Sequence, residues 1–339
     1  MELGIGMFGD LSFDPNTGKY RDAGAKLREI IEQVKLMDEV GIDVFAMGEH
    51  HREDYAVSSP EMILAAAASI TKNIKLASGV TVLSSSEPVK VYEDYATLDL
   101  LSDGRAEIMV GRGSFIESFP LYGYSLNDYE QLFDEKLDLL LKINSETNVT
   151  WSGELRAPMK NQTVYPRAKN NGKLPIWRAV GGTPQSVLSA AQLGMPLVVA
   201  IIGGMPSQFK NLVDFYKQEY IKAGHKKEDM QIAIHSHTFV SENKEVIEGY
   251  FEDYKSQMDR IGKSRGWAAY TKMQYDGGRS REGALFIGTP DEVANKIKDM
   301  KEIFGITRFI GHMDVGDPSH DVMMNSIELF GKKVAPLVR

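Results

Sequence analysis

The feature that most constrains this chain is an alternation of two kinds of segment. Strand-like runs at 3–8, 44–48, 75–83, 106–110, 175–180, 196–202, 232–240 and 307–311 are separated by helix-like stretches from one end to the other. Several of the runs are almost continuously apolar, as parallel strands buried on both faces require. The first intervening stretch has a 3.6-residue period. Leu27, Ile30, Ile31, Val34 and Met37 share a face, Lys26, Glu29 and Lys35 point elsewhere, and Gly41 supplies the stop. Further helices are predicted near 60–71, 88–102, 128–145, 184–193, 206–223, 289–304 and 319–333. Eight strands with following helices predict an α/β fold of one domain, a single (β/α)8 TIM barrel. An open doubly wound sheet is the alternative, because sequence does not display closure. Insertions follow strands 4 and 7. One covers 114–173, with a helix and then a loop or hairpin around 151–166. The other, 261–283, is rich in Gly, Arg, Ser and Lys and is a candidate lid.

Composition narrows the chemistry. The 339 residues carry a formal charge of -8, and no basic stripe offsets it, so nucleic acid is not an expected partner. The chain has no cysteine, which removes disulfides, thiolate metal sites and a cysteine nucleophile together. No apolar run reaches the roughly twenty residues of a membrane span, and residues 1–9 read as a strand rather than a signal peptide. A cytoplasmic protein is expected.

Barrel enzymes build their sites at the carboxyl ends of the strands. Here those ends read Gly48-Glu49-His50-His51, Gly111-Arg112-Gly113, Gly181-Gly182-Thr183-Pro184 and Gly311-His312. Thr183 is suited to cap a helix and Pro184 to its first position, and the glycines let an anion approach the exposed amides. Gly288-Thr289-Pro290 is a second copy of equal chemical merit, although only the first directly follows a strand. Arg112 offers a permanent charge to a phosphate, against the plain alternative of a surface salt bridge. Gly4-x-Gly6-x-x-Gly9 matches the dinucleotide fingerprint in letters but lies within a strand; its glycines are expected to leave room for a planar ligand. His50 is a candidate proton-transfer group. His235, His237 and His312, with His50, are placed either as hydrogen-bonded pocket lining or, less in keeping with known metal-dependent barrels, around a metal.

These pieces together resemble the bacterial luciferase-like flavin monooxygenases. The correspondence runs through Met47–His51, Ala77–Leu83 with Glu87-Pro88-Val89, Asp103-Gly104-Arg105 leading to Gly111-Arg112-Gly113, Val180–Pro184 leading to Leu193–Pro196, Phe286–Pro290 and Ile327–Phe330. The resemblance implies FMN, its ring stacked at a non-proline cis step between Gly79 and Val80. Its phosphate would be held by Arg112 and the turn Gly181, Gly182 and Thr183, with Ser186 nearby. It also implies His50 as the active-site histidine, and a reaction in which reduced FMN from a separate flavin reductase and O2 oxidise a small organic substrate. Phe8, Trp177 and Ile202 are expected on the substrate side, no metal is expected, and a homodimer is implied. Gly111 and Gly182 stand where luciferase itself has a cysteine and a glutamate, so light emission is not carried over. The rivals are a deazaflavin-dependent hydride-transfer enzyme in the same barrel, a flavin-binding protein without turnover, and a metal-dependent barrel hydrolase.

Overall fold

A computed structural model describes residues 1–113 and 115–339; Ser114, the first residue of the expected 114–173 insertion, lies outside the described residues. Eight parallel strands form the central sheet: β1 (Glu2–Met7), β2 (Val44–Met47), β3 (Lys75–Ser78), β4 (Ala106–Gly111), β5 (Ile176–Val180), β6 (Leu197–Ala200), β7 (Ile232–Val240) and β8 (Arg308–His312). Each pairs with its sequence neighbours, and β8 pairs back to β1 with Glu2 opposite Arg308 and Gly6 opposite His312. The sheet is therefore a closed barrel, and the open-sheet alternative is excluded. All eight strands lie within the predicted runs or within a residue of their ends.

Alternation along each strand sorts the side chains. One set fills the barrel interior, including Val44, Ala46, Met109, Trp177, Val198 and Ile310. The other set packs outward against helices α1 (Ala23–Glu39), α2 (Pro60–Ala68), α3 (Pro88–Leu101), α4 (Tyr129–Ser145), α5 (Pro184–Gln192) and α6 (Lys210–Lys222). The amino ends of the strands are plugged. The guanidinium of Arg308 donates to Glu107 at 2.6 and 3.1 Å and to Glu2 at 2.7 Å, and it covers the Trp177 ring at 4.3 Å.

The two inserted regions are more structured than their composition predicts. Between β4 and β5, α4 is followed by a hairpin of Asn148–Trp151 with Met159–Thr163, as expected around 151–166. Between β7 and β8 the structure adds α7 (Lys244–Arg265) and α8 (Lys272–Arg279) ahead of α9 (Pro290–Phe304), and α10 (His320–Leu329) follows β8. The segment 261–283 is thus largely helical. Tyr275 ties it to a small core with Phe239, Ile247, Tyr250, Tyr254 and Leu285. The ammonium of Lys296 on α9 accounts for how α8 ends, donating to the carbonyls of Ser280 at 2.8 Å and Leu285 at 2.6 Å.

Candidate functional site

The carboxyl ends of the strands enclose a cavity of about 440 Å³. At one end Arg112 and Thr183 meet. Arg112 Nη2 lies 3.4 Å from Thr183 Oγ1, while its Nη1 donates to the exposed carboxylate of Glu130 at 2.9 Å. Arg112 thus makes the surface salt bridge and also faces Thr183. Thr183 begins α5 without capping it, and no acid occupies the first turn. The second Gly-Thr-Pro copy is closed by contrast. Thr289 accepts from Glu292 N, and Glu292 Oε2 accepts from Thr289 N at 2.8 Å, forming a capping box. A carboxylate already sits where an anion would bind. Only the first helix start keeps its positive end available, and Gly181, Thr183 and Ser186 line the cavity there. Gly182, between them in the chain, does not line the cavity; its φ of +126° shapes the turn.

Sequence reasoning missed Arg178. It lies on β5, is buried, covers the Phe133 ring at 3.9 Å, and lines the same cavity as Arg112. Its Nη1 has no hydrogen-bond partner, and burial pushes its pKa down to about 10. A buried guanidinium with an idle donor is costly unless an acceptor arrives. A strand alternation in which Arg falls on the outward face, one residue before Ala179, is the signal that was available.

The predicted strand 75–83 is broken where the cavity needs a floor. The Gly79–Val80 peptide is cis, and pairing with β4 resumes only at Thr81 and Val82. Ser78 bridges the gap: Met109 N donates to its hydroxyl at 2.9 Å, and the hydroxyl donates to Met109 O at 3.1 Å. Glu49 secures the far side, accepting from Val82 N at 3.0 Å while its other oxygen meets His51 Nε2 at 2.9 Å. A β-carbon on Gly111 would stand 2.9 Å from Val80, so glycine is required opposite the step. Neither the Ser78 bridge nor the Glu49 brace was visible from sequence.

Rings form the next wall. Phe8 lies 4.4 Å from His50 and 4.0 Å from His312 between centroids, and His50 stacks on Tyr55 at 4.2 Å. His235 and His237 approach His312 to 5.4 and 5.5 Å. Gly6 makes room for one of these rings rather than for a ligand: a β-carbon there would meet His235 Nε2 at 2.7 Å, which corrects the expected role of that glycine. Burial is the first cause that holds all four imidazoles neutral, His50 and His237 at about 3, His235 at about 4, and His312 well below its ordinary value. His50 Nδ1 has no partner, whereas His237 Nδ1 is held by the Tyr254 hydroxyl at 2.8 Å.

Behind His312 lies a buried charged lock. Asp314 accepts from Phe8 N at 3.0 Å and Gly9 N at 2.7 Å, and Asp317 accepts from Ser12 N and from Lys26 Nζ at 2.9 Å. Asp10, His312 and Asp314 place ligand-type atoms within 4.8 Å of one another. The carboxylates there are engaged by backbone amides, and the cation present is Lys26, 3.8 Å from Asp314. The arrangement ties the loop after β1 to the loop after β8.

A second cavity, about 880 Å³, adjoins the first beneath α7 and α8; the two share Phe8, Phe115, Ile202, His237 and His312. Phe8 and Ile202, expected on the substrate side, thus stand at the junction of the two cavities. Trp177 does not. It points into the barrel interior, where the Arg308 guanidinium that plugs the amino ends covers its ring, and it lines neither cavity.

A family model described as luciferase-like monooxygenase matches residues 1–307. The chain is 25% identical over 321 residues to N-acetyl-S-alkylcysteine monooxygenase of Bacillus subtilis, covering 86% of this chain and 88% of that protein. Among solved structures, the monooxygenase RslO1 from Streptomyces bottropensis superposes with a TM-score of 0.84 at 23% identity, covering 99% of each chain. The oxygenating constituent of 3,6-diketocamphane monooxygenase from Pseudomonas putida, solved with FMN, gives 0.75 at 22% identity over 99% of this chain and 98% of that one.

Proposed function

The chain belongs to the luciferase-like monooxygenase family, and on that premise we propose that it is an FMN-dependent monooxygenase that uses reduced flavin and O2 to oxidise an organic substrate. The observation that carries this reading is the convergence of Arg112 with the uncapped helix start at Thr183, at one end of a cavity whose other end reaches Gly79, Val80 and His50. The residues fit FMN. The idle donor of Arg178 and the open turn at Gly181 and Gly182 suit a phosphate, and the cis step with its Gly111 clearance suits a flat ring. Reduced flavin, when bound, supplies the electrons that activate oxygen.

The chain's own residues then have separable tasks. Arg112, Arg178, Thr183 and Ser186 fix the phosphate. Glu49 and Ser78 hold the floor in place. His50 is neutral at physiological pH, and its unpartnered Nδ1 offers a hydrogen-bonding position at which a proton is taken up and returned. The candidate lid at 261–283 covers the second cavity and excludes water. The reading includes a flavin reductase as the source of reduced FMN, a cytoplasmic setting and a homodimer, for which Met62 on α2 and Leu100 and Leu101 on α3 offer exposed apolar side chains. No helix among the described residues is long and apolar enough to cross a membrane.

Anaerobic titration with oxidised and reduced FMN, followed by admission of oxygen with spectral monitoring, tests the proposal. Tight binding of reduced FMN and flavin reoxidation altered by the protein are expected. Binding of a deazaflavin in preference to FMN refutes the assignment in favour of hydride transfer.

A further inference from the structure

The second cavity has no counterpart in what FMN needs, and its lining is particular. Phe115 lies 5.9 Å from Tyr55 and 5.2 Å from His50 between centroids, so these rings form a partition between the two chambers. On the outer side the Arg265 guanidinium stands 5.1 Å from the Phe115 ring and 5.1 Å from the Trp267 ring, which places both rings around one opening. Tyr254 and Tyr270 complete an aromatic wall, with Met258 and Leu285 beside it. The volume of about 880 Å³ falls in the range of pockets that enclose drug-sized ligands. The chamber has idle polar atoms at its inner edge: Asp10 is 2% exposed, its Oδ2 accepts from Gly316 N at 2.9 Å and its Oδ1 has no partner, and His312 Nδ1 has none either. Aromatic walls favour flat rings through offset and edge contacts, and a buried orphan oxygen calls for a polar group on the ligand.

We propose that this chamber takes a bulky, flat, largely apolar aromatic substrate with an oxygen function, the rings lying among Tyr55, Phe115 and Trp267 and the oxygen meeting Asp10. The inference rests on the monooxygenase reading and narrows its substrate class. Burial and the neighbouring Asp314 raise the Asp10 pKa well above the ordinary carboxylate value, which favours the protonated carboxyl, a donor suited to a carbonyl or phenolic oxygen.

The test is calorimetric binding of two probes, 1,8-dihydroxyanthraquinone and n-decanal, to the protein with FMN bound. The anthraquinone should bind at least about tenfold more tightly than decanal. Trp267→Ala, an exposed position, should weaken the anthraquinone about tenfold and leave FMN affinity unchanged; Asp10→Ala, which removes the polar group, should weaken it similarly. Decanal binding as tightly as the anthraquinone, or a Trp267→Ala variant with unaltered anthraquinone affinity, overturns the proposal. The two readings fail separately. Normal FMN binding with no anthraquinone binding removes only the substrate class, whereas anthraquinone binding to a chain that does not bind FMN removes the cofactor assignment.

Discussion

Replacing Arg178 by methionine should make the flavin-free protein more stable and its flavin complex weaker. Burial brings the guanidinium from 12.5 to about 10. Its charged form is therefore about 3 kcal/mol less favourable inside the fold than in water. The group is a base with a lowered pKa, so this cost is present at every pH below about 10. Methionine fills much of the same volume without charge, but forfeits the contact over Phe133 at 3.9 Å, worth about 1 kcal/mol. A net gain of about 2 kcal/mol remains, in line with other replacements of buried charges by apolar side chains. For 339 residues, at about 2.1 cal/mol/K per residue, that is a rise of about 3 °C in the Tm of the flavin-free protein. FMN affinity should fall by about 1.5–3 kcal/mol, the value of a hydrogen bond to a charged partner, or roughly 10- to 150-fold. Thermal unfolding without flavin and an FMN titration measure the two effects independently. A lower Tm combined with unchanged FMN affinity would falsify the reasoning, since the guanidinium would then be a structural element only.

Arg112→Ala should weaken FMN by at least about 1 kcal/mol, and an unchanged titration would remove Arg112 from the phosphate site. Glu130→Gln should tighten FMN severalfold at low salt, because the exposed carboxylate competes for Arg112 Nη1; weaker binding would show that Glu130 orients the guanidinium instead. His50→Ala should lower turnover more than flavin affinity, and the opposite pattern would make it a binding residue. The neutral imidazoles should also make the fold acid-sensitive. Because the folded pKa values of about 3 to 4 lie below the unfolded 6.5, the stability is intact above pH 6.5 and is lost as pH falls from there towards 4. Each ring costs about 2 kcal/mol by pH 5, partly offset by Asp10 and Asp314, whose raised values act in the opposite direction. His237→Gln should reduce the drop in urea-unfolding free energy between pH 7 and pH 5 by about that amount, and an identical drop would show that His237 is not held neutral.

The barrel was legible because burial on both faces leaves a plain apolar record, as in β7, whose bounds match the predicted 232–240. Helix α7 was not, although it is the longest helix described. Its buried stripe is Ile247, Tyr250, Tyr254 and Gln257, and tyrosine and glutamine do not register as apolar. Helix α8 hides for a different reason: Gly277 and Gly278 are poor helix formers, and the turn is held by Lys296 from a distant element. The choice between the two Gly-Thr-Pro copies was readable locally, since Glu292 three residues after Thr289 spells a capping box and Ser186 after Thr183 does not. Depth along the barrel axis was not readable at all. That is why Trp177 was placed in the mouth and Arg178 overlooked, although the alternation of β5 separates their faces.

The lock formed by Asp314 and Asp317 has a consequence for how the protein is made. The amides of Phe8, Gly9 and Ser12 find their acceptors about 305 residues further along the chain. While the polypeptide is still being translated, β1 has β2 on one flank and an exposed row of donors and acceptors on the other, and β7 waits in the same condition. Such open edges invite pairing with other nascent chains. The ligand-facing end of β1 therefore cannot acquire its working shape until the last strand has emerged from the ribosome, so assembly of the catalytic mouth and sealing of the aggregation-prone edges are the same late event.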